Sequence, residues 1–139
     1  MPAFIVCDDP EVAVWAENLG ASALTEAGLG LNGAISSAVS KLSALGYERL
    51  IIAHSDLALA TQLAWLAELD GIVLVPDRHG EGTNVISLPA GCDFRFSYGP
   101  GSFSRHKKEA LRTGLAWRVI RDPELAWDID SPADMAVLV

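Results

Sequence analysis

The chain has 139 residues, half of them apolar and a fifth charged, and a net charge of −8. That balance fits one globular domain with a real core and excludes a disordered chain. Its acidity argues against nucleic-acid binding through the phosphate backbone, and no apolar run reaches the roughly 18 residues of a membrane span.

Phe4-Ile5-Val6-Cys7 is a short apolar strand ending at Asp8-Asp9-Pro10, an acidic cap with proline placed for a first helical turn. A helix is predicted over 10–18, a short strand over 21–25 and a second helix over 33–45, closed by Gly46. Leu50-Ile51-Ile52-Ala53 is continuous, apolar and rich in β-branched residues, as buried strands are, and delivers His54-Ser55-Asp56 at its C-terminal end. A helix over 60–68 follows, then a buried strand over 71–75, strands over 84–88 and 94–96, a helix over 102–114 and a strand over 117–120. Ser131-Pro132-Ala133-Asp134 reads as a capped helix start. Alternating strands and helices imply an α/β fold with a mainly parallel sheet flanked by helices. Ligands in such sheets bind beyond the strand C-termini, where Asp8, Asp56 and Asp77 fall. Cys7 and Cys92 fit no metal-ligand spacing and are expected as buried reduced thiols. The N-terminus lacks the layout of a signal peptide, so a cytoplasmic location is expected.

Two loops carry the chemistry. Val75-Pro76-Asp77-Arg78-His79-Gly80-Glu81-Gly82-Thr83-Asn84 and Phe96-Ser97-Tyr98-Gly99-Pro100-Gly101-Ser102-Phe103-Ser104-Arg105-His106 are dense in glycine, hydroxyl and cationic residues. Glycine lets a backbone approach an anion closely and turn several N–H groups toward it. Residues 95–121 hold seven Lys/Arg against one acidic residue, a local +6 that leaves −14 on the rest. A basic segment beside such a loop in an acidic protein suggests a local anion site, and a phosphorylated small molecule is expected there.

On these residues the chain resembles a known family. Pro76-Asp77-Arg78-His79-Gly80-x-Gly82-Thr83-Asn84, then Gly99-Pro100-x-Ser102-Phe103-x-Arg105-His106, then Asp128-Ile129-Asp130-Ser131-Pro132-x-Asp134 are similar to the signatures of the 2-phospho-L-lactate or phosphoenolpyruvate guanylyltransferases of coenzyme F420 biosynthesis. Asp9, Gly30-Leu31-Asn32 and Asp56-Leu57 extend the resemblance over nearly the whole chain. It implies a nucleotidyltransferase-like fold and transfer of GMP from GTP to a phosphorylated three-carbon acid, with Mg²⁺. It also implies that Thr83, Gly99 and Ser102 hold that acid, that Gly30 and Asn32 lie near the nucleotide, and that Asp56, Asp128 and Asp130 bind the metal.

The residues themselves leave alternatives. Ser102 suits either anion binding, with the free N–H groups of its helix facing the ligand, or plain N-capping. Helix capping is the other reading of Asp56 and of Asn32, and the choice between Asp128 and Asp130 is open. Arg78 and His79 suit either substrate contact or a loop salt bridge, and Arg105 either added charge or a solvated helix face. His106 is a phosphate donor or a structural histidine, while His54 reads as structural. The four tryptophans read as core or interface aromatics.

The resemblance is incomplete in two places. Family members carry a Lys/Arg triphosphate loop and a central strand ahead of the segment that opens this chain. The chain also has Ala58 where the family places proline. The GTP side is therefore expected to be impaired, and a shortened sheet would expose an edge that a homodimer could cover. A non-catalytic phospho-acid-binding domain is the alternative function.

Overall fold

The structure is a computed structural model that describes residues 1–138. It divides into two compact units, Met1–Tyr47 and the remainder from Glu48.

In the first unit, β1 (Phe4–Cys7) and β2 (Ser22–Thr25) pair in parallel, with α1 (Pro10–Asn18) crossing between them. The helix starts where the sequence says it should. The Asp9 carboxylate accepts the Glu11 N–H at 2.8 Å, and Pro10 occupies a position whose N–H would have no intrahelical partner. α2 (Gly30–Ala44) begins three residues earlier than predicted, and its cap position is Leu29, with no side-chain cap bond. Asn32 therefore lies inside the first turn and does not cap the helix; its carbonyl accepts the Ser36 hydroxyl at 2.8 Å. Trp15 is 58 % exposed, so it is no core residue of this unit.

The second unit is built on a four-stranded sheet in the order β3-β5-β4-β6, comprising β3 (Arg49–Ala53), β4 (Ile72–Pro76), β5 (Thr83–Pro89) and β6 (Trp117–Val119). The α/β class and its parallel elements are present, with one refinement. β6 runs parallel to β4, but β5 is antiparallel to both its neighbours, so this sheet is mixed rather than mainly parallel. β4 and β5 form a hairpin, and the first glycine-rich loop is its six-residue connection, with Pro76 opposite Thr83 at a register shift. Every residue of β4 is buried. At about 1.5–3 kcal/mol for each large apolar side chain, this strand anchors everything attached to its ends. One sheet face packs Val73, Val75 and Val85 against Leu57, Leu66 and Leu125. α3 (Ser102–Arg112) packs against β4 and β5 through Phe103, His106 and Ala110, its buried face at helical spacing.

Three predicted elements change. Residues 60–68 form only a 3₁₀ turn over Ala64–Glu68, and Phe94-Arg95-Phe96 is irregular, with Phe94 and Phe96 buried and Arg95 exposed. The segment after Ser131 is a 3₁₀ turn over Asp134–Leu138. Cys7 and Cys92 are free and half-buried rather than buried. Among the described residues no helix is long and apolar enough to cross a membrane.

Candidate functional site

Asp77 organises the first loop. Its carboxylate accepts the N–H groups of His79, Glu81 and Gly82 at 2.8–3.0 Å, so the loop folds around one side chain and Asp77 points inward rather than at a ligand. The hairpin connection then reaches α3, because the Glu81 carbonyl accepts the Phe103 N–H at 3.0 Å.

α3 in turn grips the second loop. Gly101 precedes it with φ of 74°, a left-handed conformation that suits glycine, and supplies no side-chain cap. Ser102, the first residue of the helix, does not cap it. Its N–H donates to the Gly99 carbonyl at 3.0 Å, and its hydroxyl accepts the Thr83 N–H at 3.1 Å. The N–H groups of Ser102 and Phe103 thus have carbonyl partners, contrary to the expectation that they face an anion. Arg105 is also committed. Its guanidinium donates to the Ser97 hydroxyl at 2.7 Å, the Ser97 carbonyl at 2.8 Å and the Pro100 carbonyl at 2.6 Å. It splints the loop that carries Gly99. Lys107 places its ammonium 4.5 Å from the Phe103 ring centre.

Thr83, Ser102 and His106 come together in one buried network, with Thr83 and Ser102 each 2 % exposed and His106 fully buried. Thr83 Oγ1 lies 3.3 Å from Ser102 Oγ and 2.8 Å from His106 Nδ1, while His106 Nε2 accepts the Ser97 N–H at 2.9 Å. Burial lowers the His106 pKa to about 4, helped by the neighbouring Arg105 and by His54 against an opposing pull from Glu109. The imidazole is neutral at physiological pH. Phe94 and Tyr98 pack on its ring, and His54 packs on Tyr98 with a buried Nε2 that has no hydrogen-bond partner among the described residues.

The acidic residues form a second cluster. Asp56 follows β3 in a turn with no helix to cap, and its carbonyl accepts the Ile129 N–H at 3.2 Å. This bond brings Asp56 to the Asp128–Asp130 segment. Asp128 raises the Asp130 carboxyl above its ordinary range, with burial, Asp134 and Asp56 adding to the effect and Arg78 opposing it. Arg78 is the staple here. It donates to the Asp128 carbonyl at 2.8 Å and to Asp134 Oδ1 at 2.7 Å, pairs with Asp128 Oδ1 at 3.5 Å, and stacks 4.2 Å from the Trp127 ring centre. Of its two predicted roles the salt bridge is the one seen; His79 is exposed. Asp134, expected as part of a helix start and as the last residue of the third signature, holds the segment from within. Its Oδ2 accepts the N–H groups of Asp130 and Ser131 and the Ser131 hydroxyl. Burial works to raise its carboxyl, but these bonds and Arg78 hold it below the usual range.

Among the described residues, no three His, Cys, Asp or Glu side chains converge in a metal-holding arrangement. Asp56, Asp128 and Asp130 are nonetheless oxygen donors of the kind a hard divalent cation takes, and Asp128 and Asp56 both raise the Asp130 carboxyl while Arg78 partly offsets them. Magnesium uses one or two carboxylates and completes its shell with water and phosphate oxygens. A shallow cavity of about 190 Å³ lies beside Arg78, between Pro76, Asp77, Arg121, Asp122, Pro123 and Ala126. It is smaller than ordinary ligand sites, and neither Thr83 nor Ser102 lines it. Gly30 and Asn32 lie in the first unit.

The fold is α/β and nucleotidyltransferase-like. A solved structure from Desulfovibrio desulfuricans G20, described as a nucleotide-diphospho-sugar transferase, superposes with a TM-score of 0.73 at 18 % identity, covering 99 % of this chain and 64 % of that one. The chain belongs to the CofC-like guanylyl transferase family, whose model matches residues 1–139. A phosphoenolpyruvate guanylyltransferase of Sphaerobacter thermophilus is 39 % identical over 96 % of this chain and 67 % of its own length. A 2-phospho-L-lactate guanylyltransferase of Methanocaldococcus infernus is 29 % identical over 95 % of this chain and 61 % of its own. The chain thus spans about two thirds of the length of the curated relatives it matches.

Proposed function

We propose that this chain transfers GMP from GTP to phosphoenolpyruvate or 2-phospho-L-lactate. A phosphate oxygen of the acid attacks the α-phosphorus of GTP, the new P–O bond forms as the bond to the β-phosphate oxygen breaks, and pyrophosphate leaves with that electron pair. Such displacement asks the protein for position and electrostatics rather than a covalent nucleophile.

Thr83, Ser102 and the backbone of Gly99 hold the phosphorylated acid. The observation that carries this reading is the pairing of the two hydroxyls, from the start of a strand and the start of a helix, beside the loop splinted by Arg105. Arg105 and Arg78 serve by holding those loops, and His79 at the exposed edge of the hairpin loop meets the acid's carboxylate. Gly30 and Asn32 serve the nucleotide. Asp56, Asp128 and Asp130 would hold Mg²⁺, which when bound supplies charge neutralisation for the triphosphate. A homodimer through an outer strand of the four-stranded sheet, β3 or β6, completes the proposal; a monomer in solution scattering would contradict that part.

Calorimetric titration with phosphoenolpyruvate tests the acid pocket. Binding is expected to fall at least tenfold in Thr83→Val and Ser102→Ala, about what loss of one hydrogen bond to a charged group costs. Unchanged binding in both variants contradicts the assignment.

A further inference from the structure

The hydroxyl pair at the proposed acid pocket has a hydrogen count that depends on which His106 nitrogen carries the proton. Each hydroxyl brings one hydrogen, and the 3.3 Å contact between them consumes one. If Nδ1 accepted from Thr83 at 2.8 Å, the second hydrogen would be consumed as well, and the pair would offer nothing to a ligand. The structure blocks that arrangement. His106 Nε2 already accepts the Ser97 N–H at 2.9 Å, so it bears no hydrogen. A neutral ring must then carry its hydrogen on Nδ1 and donate to Thr83 Oγ1. Ser97 is itself fixed by two bonds from Arg105, so the selecting N–H is held from the same helix.

We propose that His106 is a positioning residue that, locked in its Nδ1–H form by the Ser97 N–H, makes the Thr83–Ser102 pair a net donor with one hydroxyl hydrogen left for the anionic acid. This rests on the assignment of that pair to the acid pocket and adds the direction in which it hydrogen-bonds. An acceptor-only pair would repel a phosphate or carboxylate oxygen. A donor pair attracts it.

The groups facing the ring are Arg105 and Glu109 on its own helix, Phe94, Ser97 and Tyr98 from the loop, Thr83 from β5 and His54 after β3. Glu109 is held by Arg112 and the Arg95 N–H, and Arg105 by the loop. The hydrogen-bond partners of the two ring nitrogens are therefore Thr83 and Ser97.

Two-bond ¹⁵N–¹H correlation spectra of the unmodified protein near neutral pH report the tautomer directly, with no variant to fold. Protonated Nδ1 and bare Nε2 on His106 are expected; a proton on Nε2 overturns the proposal. In parallel, phosphoenolpyruvate binding is expected to weaken about tenfold or more in His106→Leu and to recover substantially in His106→Asn, whose amide can still donate to Thr83. Equal binding in wild type and His106→Leu, alongside the expected loss in Thr83→Val and Ser102→Ala, overturns the positioning role alone. Unchanged binding in all of these variants overturns the acid pocket itself and the proposal with it.

Discussion

Acidification should destabilise this protein through His106. In the folded chain the ring stays neutral to about pH 4, because burial and the cationic Arg105 oppose a second proton. The unfolded chain has an ordinary histidine that protonates near pH 6.5. The folded pKa is the lower of the two, so the unfolded state takes up the proton first as pH falls. The stability is fully present above about pH 6.5 and is lost progressively down to about pH 4. A gap of that size corresponds to about 3 kcal/mol, a large share of a small domain's stability. Urea unfolding followed by tryptophan fluorescence, for wild type and His106→Leu at several pH values, isolates the effect, since carboxylate contributions cancel in the difference. The wild type should lose about 3 kcal/mol more than the variant between pH 7.5 and pH 4. Parallel curves, or a His106 ring titrating at pH 6 or above by NMR, would show that the buried neutral ring is not the source of the loss.

Two further perturbations test the loops. Asp77→Ala strips three backbone N–H groups of their acceptor and should cost about 2 kcal/mol in a melt, with faster hydrogen exchange at Glu81 and Gly82; an unchanged melting curve contradicts the organising role. Arg78→Ala removes the cation between Asp128 and Asp134 and should lower Tm and shift Trp127 emission. Salt near 1 M should shrink the Tm loss by screening the unopposed carboxylates, and a salt-independent loss would point to packing instead.

How much of this could be read from residues alone depended on where the information is local. Asp9-Pro10 fixed α1 to the residue, because a cap and a first-turn proline act within three positions. β4 and β5 were visible as apolar runs, but their direction was not. Two buried strands joined by a short glycine-bearing loop are a hairpin signal, and reading the segment as α/β repeats overrode it. Residues 60–68 have helical composition yet form only a 3₁₀ turn, with Leu66 drawn into the core below the sheet. Thr83, Gly99 and Ser102 were singled out through their motifs, and hydrogen bonds link Ser102 to both of the others. The roles of Asp77, Asp134 and Arg105 were not legible, because each depends on which backbone groups a fold brings within 3 Å of a side chain. His106 was left between two readings because its partners come from β5 and the second loop. Its burial favours the structural one, and the hydrogen count gives that structural histidine a consequence for binding.

Joining GMP to a phosphorylated three-carbon acid is directly observable. Phosphorus NMR of GTP, phosphoenolpyruvate and Mg²⁺ with the protein follows substrates, pyrophosphate and product together. Pyrophosphate and a new diphosphate linking guanosine to the acid are expected at equal rates, and both should vanish in Asp56→Ala. Persistent GTP and phosphoenolpyruvate signals, from protein that still binds the acid by calorimetry, would contradict it and leave a phospho-acid-binding domain without transfer.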